Sequence, residues 1–397
     1  MKAGWTKKRI ADVCTIVNGG TPKTGVTEYW GGPHAWITPA EMGGRSTPYM
    51  ANTNRTITDA GLANSSARML PPESVILSSR APIGHLVINE IQMATNQGCK
   101  GLIPGKELSH KFLYYDLFSI VDLLNEMGTG ATFKELSGGK LKEVQIPIPP
   151  LPEQHRIVKI LDEAFENIAT AKANAEKNLQ NARALFESHL DSIFSNLAQE
   201  CSNEDTLENL TEVGSPITYG VVKPGGKGEV IFVRGGDIAG GKVLIEQLRT
   251  IEKAVSQQYQ RTLLRGGELL ISLVGQPGQV AIAPQELSGA NIARQVGLVR
   301  LNSRMNAEFV RYYLQSPSGK KSLHARQSGS VQQVINLGEL RVVRVPVPSI
   351  DTQNKIVVDI GSSENETRRL ESIYQAKIAT LDELKKSLLH QAFNGDL

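Results

Sequence analysis

"VQIPIPPLPEQHRIVKILDEAF" occupies Val144–Phe165, and "VRVPVPSIDTQNKIVVDIGSSE" occupies Val343–Glu364. A constant offset of 199 residues places Pro147 on Pro346, Pro149 on Pro348, Gln154 on Gln353, Ile157 on Ile356 and Val158 on Val357. Continued without an insertion, it pairs Leu185 with Leu384, Leu190 with Leu389 and Phe194 with Phe393. A gap-free match of this length makes the chain an internal duplication whose unit is about half the molecule.

Each copy opens as a proline-bounded strand and then changes period. Apolar or small residues recur at Ile157, Leu161, Ala164, Ile168, Ala171, Ala175, Ala182, Phe186 and Ile193. Steps of three and four over this distance describe a coiled-coil seam. Pro152 falls in the first helical turn, where its missing N–H costs nothing. At 1.5 Å per residue the seam from Ile157 to Leu197 spans about 60 Å. The second copy repeats it at Ile356, Ile360, Ser363, Thr367, Leu370, Tyr374, Leu381, Leu384 and Leu388, and "FNGDL" supplies a helix stop.

The segments before the two helices read as α+β. Short β-rich runs ("ESVILSS", "HLVI", "EVIFV", "ELLISLVG", "VGLVRL") alternate with Gly- and Pro-rich loops ("GGTPKTG", "YWGGPHAW", "KPGGKG"). Each segment has one helical stretch near its end, "SHKFLYYDLFSIVDLLNEM" or "NAEFVRYYLQS". The duplication reaches these modules with diverged loops: "AWITPAEM" resembles "IFVRGGDI", "VILSSRAPIG" resembles "LLISLVGQPG", and "GTGATFKELSGGKL" aligns with "QSGSVQQVINLGEL". The expected partition is 1–150, a module; 151–203, a helix; 204–348, a second module; and 349–397, a second helix. Only about eight residues join the first helix to the second module, so a second helix packed on the first must run antiparallel to it. The expected architecture is two tandem mixed α/β modules separated by a long antiparallel two-helix coiled coil, with a pseudo-twofold internal repeat.

Bulk properties narrow the function. A chain of 397 residues exceeds one ordinary core. Its 40% hydrophobic and 21% charged content fits a soluble globular protein. No apolar run approaches the ~18 residues that span a bilayer. "MKAGWTKKRIADVC" lacks the apolar stretch of a secretory signal, and Cys14, Cys99 and Cys201 are odd in number and widely spaced; a reducing cytoplasm is expected. Charge is unevenly divided. Lys and Arg outnumber Asp and Glu by 15 to 12 in residues 1–150 and by 17 to 10 in 206–348, but fall behind by 5 to 10 in 151–205 and 6 to 8 in 349–397. Basic modules between acidic helices suit a polyanionic partner that meets the modules.

Catalytic signatures are missing from the sequence. There is no Asn/Asp-Pro-Pro-Tyr/Phe methyltransferase motif, no phosphate-binding G-x-x-x-x-G-K-[ST], no H-E-x-x-H and no C-x-x-C. "ELK" at Glu383–Lys385 imitates the end of a nuclease motif but lies within the heptad helix. His34, His85, His155 and His189 show no ligand spacing. A coiled-coil scaffold would account for the helices but not for two basic, loop-diverged modules. A DNA-binding subunit accounts for both.

The two corners, "IPIPPLPEQHRIV" and "VPVPSIDTQNKIV", each followed by a long heptad helix, resemble the specificity subunit of Type I DNA restriction-modification systems (HsdS). "WTKKRIADVCTIVNGGTP", "YWGGPHAWITPAEM", "SSRAPIG" and "ATNQGCKGL" fit as well, so the resemblance covers the whole chain. The second corner departs from the pattern, reading "SIDTQ" where the first reads "PLPEQ". The resemblance implies two target-recognition domains, each reading one half of a bipartite double-stranded DNA site, with the helices setting the gap between half-sites. It also implies two modification subunits that methylate adenine with S-adenosylmethionine, and restriction subunits that use ATP and Mg. This chain itself would bind no cofactor and catalyse nothing.

Arg and Lys supply phosphate contacts and bidentate guanine contacts, and Asn and Gln read adenine. On that chemistry the candidate DNA contacts in the first module are Lys23, Thr24, Arg45, Arg80, Asn96, Gln97 and Lys100. In the second they are Lys223, Lys227, Arg234, Gln276, Arg294, Gln295 and Arg326. Tyr29 and Trp30 are expected to anchor a loop, the alternative being contact with sugars or bases.

Overall fold

Proline has no backbone donor, so a strand containing it needs a free edge. Both corners meet this condition as two-stranded ribbons. Gln145–Ile148 pairs antiparallel with Thr6–Arg9, and Arg344–Pro346 pairs antiparallel with Glu204–Thr206. The structure is a computed structural model that describes residues 4–45, 47–130, 134–324, 327–328 and 334–397. The chain divides into two compact units, Met1–Ala175 with Ala376–Leu397, and Glu176–Gln375.

One buried glutamine fixes each corner. Gln154 Nε2 donates to Pro149 O and Glu107 O, both at 2.8 Å, and its Oε1 accepts from Ser109 N at 2.8 Å. Gln353 Nε2 donates to Pro348 O at 3.0 Å and Arg304 O at 2.9 Å, and its Oε1 accepts from Asn306 N at 2.8 Å. Both side chains are fully buried. Each amide thus ties the exit of the corner strand to the residue that caps the module helix, satisfying groups that burial would otherwise strand. The drift from "PLPEQ" to "SIDTQ" leaves these bonds intact because the glutamine is kept.

The first long helix runs Leu151–Glu200, with Pro152 as its second residue. The second runs Ile350–Asn394 and stops before Gly395, whose φ of 88° is open to glycine. Leu161, Ile168, Ala175 and Ala182 are buried at seven-residue spacing, the repeat that keeps one stripe in register along a helix. Not every seam position behaves as the periodicity predicts. Leu384 is 45% exposed and its counterpart at the 199-residue offset, Leu185, is 71% exposed, while Leu389, a little over one turn on, is buried.

In the first unit, Leu389 and Ala392 join Ile157, Val158 and Leu161 in the module core, and Phe393 meets Phe112 edge-on at 5.1 Å. Lys172 pairs with Asp382 at 2.7 Å, and Arg156 donates to Leu397 O at 2.7 Å. In the second unit, Leu190, Phe194 and Leu197 share a core with Ile360, and Phe194 packs on Phe309 at 5.6 Å. His189 lies 3.7 Å from Asp359, and Arg183 pairs with Glu371. Within each unit, rising numbers on one helix meet falling numbers on the other.

The modules follow the α+β expectation. The first holds a five-stranded sheet in the order Cys14–Asn18, Cys99–Pro104, Val75–Ser79, Ile83–Asn89, Tyr49–Met50. Beside it is a three-stranded sheet with Trp30–Ile37 between Arg55–Ile57, antiparallel, and Met93–Thr95, parallel. The second holds a four-stranded sheet in the order Thr218–Tyr219, Val296–Val299, Leu269–Ser272, Val280–Ile282. Its three-stranded sheet has the same directions, with Val230–Val233 between Arg249–Ile251, antiparallel, and Asn291–Ile292, parallel. The predicted helical stretches are helices at His110–Ser119 and Val121–Met127, and at Ala307–Gln315. Cys14 and Cys99 are buried free thiols, and burial pushes each up to about 12. No described helix is long and apolar enough to cross a membrane.

Two consequences are measurable. Gln154→Ala strands a buried N–H and two carbonyls, and is expected to lower unfolding free energy by ~2–3 kcal/mol in denaturant titrations. A Gln154→Glu chain should be less stable still, since a carboxylate presents acceptors to two carbonyls. Asp116, on the helix His110–Ser119, is 1% exposed, and its Oδ2 has no hydrogen-bond partner. Burial holds its carboxyl well above the usual range. Unfolded, Asp116 loses its proton in the ordinary carboxylate range; folded, it keeps it to higher pH. Stability therefore falls as pH rises through that window, by up to ~1.4 kcal/mol per unit. Asp116→Asn should abolish this slope and unfold later than the parent at pH 7. Equal pH slopes in the two proteins would contradict the burial argument.

Candidate nucleic-acid interface

The glycine-rich loops are seated by backbone contacts that a side chain would block. A Cβ on Gly19 would lie 1.8 Å from Asn96 O, and one on Gly220 would lie 1.8 Å from Ile292 O. Next to them, Gly20 N donates to Thr95 O at 2.8 Å and Val221 N to Ile292 O at 2.7 Å. In each module the loop after the first sheet strand therefore rests on the segment that leaves the parallel strand of the small sheet.

In the first module two indoles fix the loop from below. Trp36 Nε1 donates to Gly20 O at 2.9 Å and Trp30 Nε1 to Lys23 O at 3.3 Å. The rings meet edge-on at 5.0 Å. Trp30 is thus the anchor expected of it. Thr21 hydroxyl bonds Gln97 Oε1, which links the loop to the Asn96–Gly98 turn. Asn96 Oδ1 accepts from Gly98 N at 2.8 Å, and a Cβ on Gly98 would lie 3.2 Å from Arg80 Nε. Arg80, 36% exposed along its side chain, reaches Glu135 at 3.8 Å. Lys23, Arg80, Asn96 and Gln97 therefore share one continuous surface, with Thr24 exposed at the loop tip. Lys100 lies just behind it, 6% exposed, on a strand between Asn18 and Leu77. Arg45 is elsewhere: it donates to Tyr49 O at 2.9 Å and lines a cavity of ≈ 410 Å³ with Tyr114, Phe118, Phe165 and Lys385.

The second module gathers a corresponding set. Arg294 N donates to Val221 O at 2.9 Å, which places its exposed side chain beside the loop carrying Lys223 and Lys227, both exposed. Gln295 O accepts from Leu273 N at 2.8 Å, and a Cβ on Gly235 would lie 3.4 Å from Gln295 Cβ. Gln276 is exposed on the turn between Gly275 and Gly278, whose φ values are 90° and 87°. Arg234 is bound inward: Nη2 donates to Asp237 at 2.6 Å, and its own N–H donates to the same carboxylate at 2.8 Å. This pair holds Arg234 where Thr38 and Glu41 form the matching cap in the first module. Arg326 lies outside the described residues.

Sequence reasoning passed over Arg55 and Arg249. Arg55 lies 3.7 Å from the Trp30 ring centroid and 5.3 Å from that of Trp36, on the same surface as the glycine-rich loop. A signal was present: "RTI" occurs at Arg55–Ile57 and again at Arg249–Ile251, in the same antiparallel pairing. Its offset is 194, not 199, so a gap-free comparison does not find it. Among the described residues no group of metal-ligating side chains comes together. His34 bonds Asp59 at 2.8 Å, and His85 Nδ1 lies 3.2 Å from Pro39 O.

Residues 2–180 and 219–375 match the family described as Type I restriction modification DNA specificity domain. The chain is 38% identical over 169 residues to the Type I restriction enzyme MjaIX specificity subunit of Methanocaldococcus jannaschii, covering 41% of this chain and 39% of that one. It is 26% identical over 351 residues to the EcoBI specificity subunit of Escherichia coli, covering 82% and 74%. The first alignment thus spans well under two thirds of its relative. Among solved structures, a chain from work on assembly and conformational transition of the type I R-M system superimposes with a TM-score of 0.77 at 17% identity, over 100% of this chain and 99% of that one. The HsdS subunit of Thermoanaerobacter tengcongensis does so with 0.59 at 17% identity, over 100% and 98%. At such identities the likeness is one of fold.

Proposed function

This chain belongs to the Type I restriction modification DNA specificity family, and from that premise we propose that it is the non-catalytic subunit that chooses the DNA sequence on which partner subunits act. The supporting observation is that each module seats a glycine-rich loop on a second loop with exposed polar and basic side chains: Lys23 and Gln97 in one, Lys223 and Arg294 in the other. Two such surfaces with unlike side chains suit two unlike half-sites. In this reading the two long helices form an antiparallel coiled-coil spacer that sets the distance between half-sites, and the internal repeat has pseudo-twofold symmetry.

The partners proposed are double-stranded DNA, two modification subunits carrying S-adenosylmethionine, and restriction subunits using ATP and Mg. They would supply the chemistry for which this sequence has no motif. Arg80 and Arg294 lie within the loop clusters and are the proposed base or phosphate contacts. Lys100 and Arg234 act from behind, one buried in a strand and the other tied to Asp237.

Purified alone, the chain is expected to transfer no methyl group to DNA, whereas with a modification subunit it should direct adenine methylation to one bipartite sequence, read by mapping methylated adenines. Methyl transfer by the isolated chain would refute the assignment. In the assembled complex, Arg80→Ala and Arg294→Ala should weaken cognate binding. Where a base contact is lost, discrimination at that position should drop by ~1–3 kcal/mol. Parental affinity in both variants would place the readers on other loops.

A further inference from the structure

We propose that Arg55 and Arg249 are matched contacts to the DNA phosphate backbone, one in each module, retained through the duplication while the reading loops diverged. The inference rests on the reading of each module as the reader of one half-site, and goes beyond it by naming a shared anchoring residue.

The two arginines occupy one structural position. Arg55 pairs across the sheet with Trp36, Thr56 with Ala35 and Ile57 with His34. Arg249 pairs with Phe232, Thr250 with Ile231 and Ile251 with Val230. Both strands lie antiparallel to a central strand whose other neighbour is parallel and leads into the loop of Asn96 and Gln97, or of Arg294 and Gln295. The same glycine seat follows each triplet: a Cβ on Gly32 would lie 2.6 Å from Ile57 O, and one on Gly228 would lie 2.3 Å from Ile251 O.

Folding explains only part of the triplet. Ile57 and Ile251 are 0% and 1% exposed, so the core requires them. The arginines are exposed and need not be arginine for the sheet to form. Several other guanidinium groups, those of the second module among them, are tied up: Arg234 with Asp237, Arg265 with Glu212, Arg300 with Glu268 and Arg304 with Asp205. The side chains of Arg55 and Arg249 have no hydrogen bond or ion pair among the described residues. The Arg55 guanidinium instead lies over the Trp30 ring, a contact that restricts its fork without using its N–H donors in a hydrogen bond.

Two modules that read different sequences have only the sugar–phosphate backbone of their half-sites in common. A residue kept at the same register while neighbouring loops changed from "NQG" to "ARQ" fits that shared element. Arginine suits it because a guanidinium engages two phosphate oxygens at once.

The test is equilibrium binding of the full chain, assembled with its modification subunit, to a cognate duplex and a scrambled duplex over a range of salt. Arg55→Ala and Arg249→Ala should each weaken both duplexes by the same factor. Each should also reduce the slope of log affinity against log salt by ~0.9, and the double variant by ~1.8. Arg55→Lys and Arg249→Lys keep the charge and should keep the slope, which controls for variants that fold poorly. An unchanged slope in folded alanine variants, a slope lost in folded lysine variants, or a loss confined to the cognate duplex would each overturn the proposal. If the parent complex shows no salt-dependent DNA binding, the functional reading fails, and the inference with it. If the parent binds while the alanine slopes match it, the inference alone fails.

Discussion

The structure depends on a buried amide at each corner. A primary amide offers two donors and one carbonyl, and Gln154 and Gln353 use both faces in the same way. One side chain thereby decides where the strand ends, where the long helix starts and where the module helix is capped. Because the partners shared by the two copies are backbone groups, with the Met305 sulfur as an added acceptor for Gln353, the corner is largely indifferent to the side chains around it. Glu107 and Ser109 in one copy become Arg304 and Asn306 in the other without a change in bonding. The fixed corner leaves the rest of each module free to differ.

That freedom is used unevenly. The small three-stranded sheets keep their directions and their triplet, because a parallel neighbour and a glycine seat leave little latitude. The large sheets differ, five strands against four. The greatest difference lies in what braces the first loop. Two tryptophans hold it in the first module, whereas in the second the Tyr259 hydroxyl accepts from Val222 N at 3.4 Å.

Much of this was legible in the sequence, and the reasons are physical. Helical and strand periodicities are local, so the long helices and the strands from "ESVILSS" to "VGLVRL" could be read directly. Proline at Pro147 and Pro346 marked free-edged strands for the same reason. Orientation around a helix was less legible: Leu384 has seam spacing yet faces solvent, because which leucine turns inward depends on what the opposite surface offers. The loop surfaces were read by residue chemistry alone. Chemistry cannot distinguish exposed Arg294 from Arg234, which is drawn to a carboxylate three residues away, or show that Lys100 lies within a sheet. Arg55 escaped because stacking on Trp30 joins residues 25 apart in sequence, and no spacing rule anticipates it.

The tryptophan support has a thermodynamic consequence. A free arginine side chain loses about 2 kcal/mol of rotamer entropy when it is immobilised. Arg55 has already lost part of this freedom on folding, since Trp30 and Trp36 restrict it. Arg249, with no aromatic ring beneath it among the described residues, retains its freedom until a ligand arrives. The same contact would then be made with a smaller entropic penalty in the first module than in the second. Two halves built on one plan would differ in their entropies of association, and temperature would shift the balance of grip between them.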